Sequence, residues 1–223
     1  RVERIMIQYL MPCLLCLFFF LQGCTSPRLE RQIKDLPVGR SFVPENVHAV
    51  KRLPKEVVRV LCLPVVGRIE VDDSVSEALV SALRRAARFE VILVDRAVLA
   101  RVVPNWSELY VDGKVPAALI QWARETYGVD AIVQLQVSQY RPYKPICFGL
   151  RGRLFTANET ADVLWSIDEV FDAGQESVAI GARVHSERFV EQAFPLQSSY
   201  SSLFSPRRFV AYVGHVAFDT LPR

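Results

Sequence analysis

Three successive runs of alternating apolar and polar residues, between Ala131 and Asp172, constrain the fold of this chain most. A period of two is typical of β-strands that bury one face. The segments 141–145 and 158–160, which separate the runs, are short and rich in turn residues. The sequence therefore predicts a three-stranded antiparallel meander, with one face formed by a regular apolar set: Ala131, Val133, Leu135, Val137, Phe148, Leu150, Leu154, Val163, Trp165 and Ile167.

The residues before the meander predict a strand, a helix and a second strand. Residues 57–64 are a β-rich apolar run, typical of a strand that is covered on both faces. Residues 72–88 repeat apolar side chains at helical spacing, and Ser74 and Glu77 suggest a capping box at the start of this helix. Residues 89–95 then form the second strand.

Further helices are predicted on both sides of the meander. Residues 96–103 form a short helix that stops before Pro104, and a loop follows over 104–114. The next helix has Pro116 in its first turn and ends at Gly128.

Beyond the meander, residues 175–194 are predicted to be mostly helical and 198–205 to form a loop. The last helix starts at Ser205-Pro206 and docks on the sheet. The order β-α-β-α-β-β-β-α predicts an α+β fold, with a mixed β-sheet and helices packed on it, in a single domain over residues 56–223.

The N-terminal residues predict export and lipid attachment. The apolar run Met11–Leu21 is shorter than the roughly 20 residues that a spanning helix needs, and it has the length of a signal-peptide core. Leu21, Gln22, Gly23 and Cys24 resemble the lipobox of bacterial lipoprotein precursors. The resemblance implies that residues 1–23 are a removed signal peptide and that Cys24 carries a diacylglyceryl group and a further acyl chain such as palmitate. The alternative is an ordinary buried helix with a chance cysteine.

Residues 24–55 are predicted to be the acylated N-terminus and a flexible tether, with a reach on the order of 30 Å. Residues 25–55 carry a net charge of +4, which either attracts anionic surfaces or only keeps the linker solvated. Thr25, rather than Asp, follows the acylated cysteine. By the sorting rule of enterobacterial lipoproteins, this implies the inner leaflet of the outer membrane, facing the periplasm.

Two cysteines, Cys62 and Cys147, remain in the mature chain, and we expect both to be free thiols rather than a disulfide. The mature chain has no C-x-x-C and no Cys/His cluster, so we expect no metal and no cofactor. The overall charge of +3 is too small to indicate a nucleic-acid partner.

Three motifs are similar to a recurring signature: Arg88–Arg96, Ala123–Val133 and Val163–Ala173. They resemble the fold shared by the curli secretion lipoprotein CsgG, the penicillin-binding-protein activator LpoB and the N-terminal domain of TolB. The resemblance implies a non-enzymatic envelope protein that binds another protein. The short turns lack the long hairpins of a membrane barrel, so the layout looks most like the synthase-activator branch.

The enzyme alternative rests on few residues. The sequence has no G-x-S-x-G, H-E-x-x-H or P-loop motif, and its three histidines are isolated. Asp168, Glu169 and Asp172 could in principle hydrolyse a cell-wall glycan. Neighbours along a strand point to opposite faces, however, so Asp168 and Glu169 cannot converge. Glycan hydrolysis is therefore the distant alternative, and we expect no catalytic residue and no small-molecule substrate.

A partner-binding surface is predicted around the first hairpin of the meander, because aromatic and arginine side chains are favoured at interfaces. The alternative is a solvated sheet face with edge-protecting charges. The sequence thus predicts a lipid-anchored accessory or assembly factor, or alternatively an oligomerising subunit of a secretion or surface apparatus. The candidate contact residues are Tyr140, Arg141, Tyr143, Lys144, Arg151 and Arg153.

Overall fold

A computed structural model of the chain describes residues 39–67, 72–87, 89–112, 115–189 and 199–223. The predicted signal peptide, the lipobox Leu21–Gly23 and the acylation site Cys24 lie outside these residues. The strands are β1 (Val47–Ala49), β2 (Arg59–Cys62), β3 (Val66–Gly67), β4 (Glu90–Leu93), β5 (Ala131–Arg141), β6 (Cys147–Thr156) and β7 (Val163–Asp172). The α-helices are α1 (Asp73–Ala86), α2 (Arg96–Val102), α3 (Leu109–Asp112), α4 (Ala117–Tyr127), α5 (Glu176–Phe189) and α6 (Pro206–Phe218).

The strands form one mixed sheet in the order β1-β7-β6-β5-β2-β4, and β3 pairs with β5 beyond the end of β2. The three long strands β5, β6 and β7 pair antiparallel, which confirms the predicted meander. β2 pairs parallel with both β4 and β5, as expected for strands joined through helices. The protein therefore has the predicted α+β fold, with helices packed on a mixed sheet.

One face of the sheet, which we call the covered face, carries α1, α5 and α6. Its core is built from the apolar half of each alternating run, including Phe148, Trp165 and Phe171, all of which are fully buried. The Nε1–H of Trp165 donates to Thr220 Oγ1 at 2.8 Å, so even the polar atom of this indole has a partner. Each such side chain contributes about 1.5–3 kcal/mol through burial.

The described residues cover the second face only in part. The helices α2, α3 and α4 pack over β2, β4 and the adjoining ends of β5 and β6, where Leu61, Ile132 and Phe155 are buried against Leu99 and Leu119. Further along β5, β6 and β7 the same face carries polar side chains that remain partly exposed. We call this part, formed by alternate residues of β5–β7, the open face.

Several local predictions differ from the structure. The cap of α1 is Asp72, whose carboxylate accepts from Ser74 N at 2.8 Å, so the capping box of Ser74 and Glu77 is wrong. The predicted loop 104–114 contains a 3₁₀ turn at Trp106–Glu108 and then α3, and the predicted loop 198–205 contains a 3₁₀ helix at Ser199–Leu203.

The helix α4 confirms its predicted stop but not its predicted start. Pro116 precedes the helix as its N-cap, with extended backbone, instead of lying in the first turn. Gly128 ends the helix in the left-handed region, with φ of 59°, which is the conformation that glycine adopts without strain.

The predicted tether ends earlier than residue 55. β1 pairs antiparallel with β7, Val47 lying opposite Ile167, and Glu169 Oε1 accepts from Asn46 N at 2.6 Å. Upstream, Phe42 N donates to Ser177 O at 3.1 Å. The compact domain therefore includes residues well before the predicted boundary at 56.

Candidate protein-binding surface

The open face is a set of rows that run across β5, β6 and β7. The register places Gln136, Arg151 and Asp168 in one row. The next row towards the helix-covered end of this face begins with Gln134 and continues with Arg153. Because side chains directly opposite one another in adjacent strands lie about 5 Å apart, each row brings its members into contact range.

Two ion pairs cross the strands on this face. Arg151 Nη2 lies 2.7 Å from Asp168 Oδ2, and Arg141 Nη2 lies 3.1 Å from Asp172 Oδ2. The first pair joins β6 to β7, with both side chains about two-fifths exposed. The second joins β5 to β7 and passes across Cys147, which lies between them in the register and is buried. Charged side chains therefore connect the three strands while remaining partly exposed to solvent.

A bulge in β5 separates the two ion pairs. The register shifts between Val137 and Gln139, and Gly149 lies opposite the bulge. A Cβ on Gly149 would clash with the Ser138 hydroxyl and lie 3.0 Å from the backbone nitrogen of Gln139. Any larger residue at position 149 would therefore push the bulged strand away from β6.

The inner boundary of the open face is formed by Tyr110. Its hydroxyl donates to Pro64 O at 2.6 Å, and its ring lies beside Gln134 and Gln136. Burial raises the pKa of the Tyr110 hydroxyl well above its ordinary value, so this group stays protonated as a hydrogen-bond donor. Gln134 Nε2 and Gln136 Oε1 are buried there. Neither atom has a hydrogen-bond partner among the described residues, and both lie beneath the exposed surface of this face.

The six predicted contact residues fall into three groups. Arg141, Arg151 and Arg153 share the open face. Tyr143 and Lys144 lie in the turn between β5 and β6, outside the rows. Tyr140 instead lies on the covered face, where its ring packs edge-on against Phe148 at 5.8 Å between centroids. The structure thus brings three of the six together and separates Tyr140 from them.

Residues that the prediction omitted complete the surface. Asp168 and Asp172 are the ion-pair partners of two of the arginines, and Val170, 42% exposed, lies between them along β7. Counting the register back from the β6–β7 turn would have paired Arg151 with Ile167, because the irregularity between Leu154 and Phe155 shifts the pairing by one residue. The contribution of Tyr110 has no signal in the sequence, because it comes from a helix far along the chain.

The carboxylates of the enzyme alternative do not converge. Asp168 binds Arg151 on the open face, whereas Glu169 faces the other way and caps the backbone before β1. Among the described residues no group of three or more His, Cys, Asp and Glu could hold a metal ion. A cavity of about 680 Å³ between α4 and the β6–β7 turn is lined by Ile120, Arg124 and Glu159, with no described His, Cys or Ser among its lining residues.

Two histidines pair on the covered face instead of forming a site. The rings of His185 in α5 and His215 in α6 have centroids 5.0 Å apart, and Phe189 packs on both. Burial, together with the nearby His215 and Arg85, lowers the pKa of His185 to about 4. His185 is therefore neutral at physiological pH and serves as part of the packing.

None of the described helices is long and apolar enough to cross a membrane. Both remaining cysteines, Cys62 and Cys147, are free and buried, as predicted. Burial raises the pKa of the Cys62 thiol to about 12, and it also raises that of Cys147, with Asp172 adding to the effect.

No protein-family model and no curated protein matches this chain. It is similar to the solved PelC dodecamer from Paraburkholderia phytofirmans, with 15% identity over 76% of this chain and 94% of that one, at a TM-score of 0.42. It is also similar to lipoprotein GNA1162 from Neisseria meningitidis, with 18% identity over 58% and 94% of the two chains, at a TM-score of 0.36.

The LpoB C-terminal domain from Escherichia coli is a further solved structure of this kind, with 15% identity over 65% of this chain and 92% of that one, at a TM-score of 0.34. LpoB is among the proteins that the sequence motifs resemble. At identities and TM-scores this low, the similarities assign no function, partner or oligomeric state to the chain.

Proposed function

We propose that this chain is a lipid-anchored lipoprotein of the bacterial envelope, which acts as a non-enzymatic accessory factor by binding a partner protein. The anchor is Cys24, presented by the lipobox Leu21–Gly23, and the domain faces the periplasm from the inner leaflet of the outer membrane. The observation that carries partner binding is the open face, where ordered arginine, aspartate and glutamine side chains lie in rows on a rigid sheet.

The chemistry of the open face suits a polar partner surface. Arg151 and Asp168 hold each other in place, so their remaining hydrogen-bonding groups are oriented before a partner arrives. Arg153, in the next row, adds a further guanidinium beside them. Val170 supplies exposed apolar area within the same surface. Pre-orientation of this kind lowers the entropic cost of association.

The partner is tested by site-specific photocrosslinking in cells that express the full chain. A photoreactive residue replaces Arg153 on the open face, and the control replaces Ser81, which is exposed on α1 behind the covered face. We expect a discrete adduct with an envelope protein from position 153 and none from position 81. Arg151→Glu should lower the adduct yield about tenfold, the effect of losing roughly 1.4 kcal/mol of contact. Equal yields from both positions would contradict the proposal.

The anchor is tested separately. We expect the wild-type chain to incorporate labelled palmitate and to accumulate as a larger precursor when lipoprotein signal peptidase is inhibited by globomycin. Cys24→Ala should incorporate no label. Label that persists in Cys24→Ala would show acylation elsewhere and would overturn the assignment of Cys24.

A second candidate is a self-associating subunit. β4 ends the sheet, and its outer edge pairs with no strand of the described part of the chain. Leu93 in this strand is 45% exposed. Unpaired edges are templates for pairing with another chain. A closed oligomer in sedimentation analysis that Leu93→Lys dissociates would favour this candidate.

A further inference from the structure

An aromatic cluster projects from the end of the sheet where β5 turns into β6. Tyr143 in this turn is 79% exposed, and Phe204, after the 3₁₀ helix that precedes α6, is 54% exposed. Lys144 joins them, with its Nζ 3.3 Å from the centroid of the Phe204 ring. We call these three residues the aromatic tip. Its two rings are among the most exposed large apolar side chains of the described residues, and the fold does not need them for its core.

The chain that leads to Cys24 joins the domain at this same end. Phe42 packs edge-on against Phe171 near the end of β7, with ring centroids 5.1 Å apart. The backbone N–H of Phe42 donates to Ser177 O in α5. The end of β7 lies beside the β5–β6 turn, because Ala173 N donates to Ile146 O at 2.8 Å. The first described residues and the aromatic tip are therefore neighbours at one pole of the domain.

We propose that the aromatic tip rests in the interfacial layer of the membrane to which Cys24 anchors the chain. The proposal rests on acylation at Cys24. Even fully extended, the chain from Cys24 to Gly39 spans at most about 50 Å, so the lipid surface lies within reach of the pole that carries the tip. Tyrosine and phenylalanine beside a lysine suit this layer, because the rings enter the headgroup region while the ammonium stays in water.

Charges of both signs lie near the tip. Arg141 is paired with Asp172 near the turn, Glu176 lies in the first turn of α5, and the exposed Arg207 follows Phe204 by three residues. The rings supply the part of the attraction that does not depend on anionic lipid. Attachment at Cys24 makes their insertion an intramolecular step, so even a weak contact is populated.

The two turns of β6 provide a matched test, because they lie at opposite ends of one strand, about 30 Å apart. Tyr143→Cys probes the tip and Glu159→Cys probes the far turn, where the side chain is also exposed. Cys62 and Cys147 are buried, so an environment-sensitive nitrobenzoxadiazole label reaches only the new thiol in the folded, acylated protein. Phe204→Cys provides a second probe of the tip.

The labelled full-length proteins are reconstituted on vesicles of phosphatidylethanolamine and phosphatidylglycerol that contain a nitroxide-labelled lipid. We expect the nitroxide to quench the probes at positions 143 and 204 at least about twofold more than the probe at 159. Equal quenching on vesicles that carry the protein would overturn the tip proposal and leave the anchor intact. If the emission of the probe at 143 is shifted to the blue but is not quenched, protein rather than lipid covers the tip. That result would also overturn the tip proposal. Protein that fails to float with the vesicles would overturn the anchor, and the tip proposal with it.

Discussion

The two faces of the strands β5, β6 and β7 are built from alternate residues of the same segments, yet they differ in almost every property. Trp165 is fully buried on the covered face, whereas Asp168, three positions along β7, forms an exposed ion pair on the open face. The apolar half of the alternation selects the fold and the polar half leaves a surface for recognition. A slip of one residue in register would exchange the two sets, so the core also fixes the arrangement of the open face.

The faces also differ in what they contribute to stability. A fully buried aromatic side chain contributes several kcal/mol through burial and packing. An ion pair that is about two-fifths exposed on each side, like Arg151 with Asp168, contributes about 0–1 kcal/mol. Side chains of the open face can therefore change without unfolding the protein, which is the freedom that a recognition surface needs.

The largest expected effect comes from the covered face. Trp165→Ala removes a fully buried indole, its hydrogen bond to Thr220 and its contact with Phe218, and we expect a loss of about 3–5 kcal/mol in the free energy of unfolding. Urea denaturation followed by far-UV circular dichroism measures this loss. Val170→Ala, on the open face of the same strand, should change it by no more than about 0.5 kcal/mol. Similar losses for both variants would remove the distinction between the faces.

The next effect is a pH dependence that belongs to the covered face. The pKa of His185 is lowered to about 4 in the folded chain, against about 6.5 when unfolded. Between these pH values the unfolded chain is protonated at His185 and the folded chain is not. The free energy of unfolding therefore falls by about 1–3 kcal/mol as the pH drops from about 6.5 towards 4. Unfolding titrations of the wild type and of His185→Gln measure this term. An equally steep acid limb in the variant would assign the dependence to other groups.

The smallest expected effect is on the open face. A double-mutant cycle of Arg151→Ala and Asp168→Ala should give a coupling of about 0–1 kcal/mol in the free energy of unfolding, because water screens both charges. The same variants should nevertheless reduce the crosslink from position 153. A coupling above about 2 kcal/mol would make this pair a structural element of the sheet rather than part of a binding surface.

Much of the sheet could be predicted because its strands alternate strictly. The failures occur where the alternation is interrupted. The bulge after Val137 moves Tyr140 to the covered face, and the irregularity between Leu154 and Phe155 leaves Val163 45% exposed instead of buried. A bulge changes the face of every later residue without changing the composition of the strand, so nothing in the pattern announces it.

The binding surface could be predicted only where a single strand defines it. Arg151 and Arg153 share a face by parity alone. Two other contacts join residues that are distant in sequence: Tyr110 with the open face, and Lys144 with the ring of Phe204. Both depend on how the helices pack on the sheet. β1 was missed for a different reason, because three residues are too few to show a period and their partner β7 supplies the order.

The ion pair between Arg141 and Asp172 has a chemical consequence for the thiol beneath it. The pair lies across Cys147, and burial raises the pKa of that thiol, with Asp172 adding to the rise and Arg141 opposing it, so little thiolate forms at neutral pH. Because the thiolate is the form that reacts with oxidants and attacks disulfides, we expect the buried Cys147 thiol to be oxidised slowly and to form mixed disulfides slowly. A pair of charges that adds little to folding thus lies over a thiol that is itself almost wholly buried.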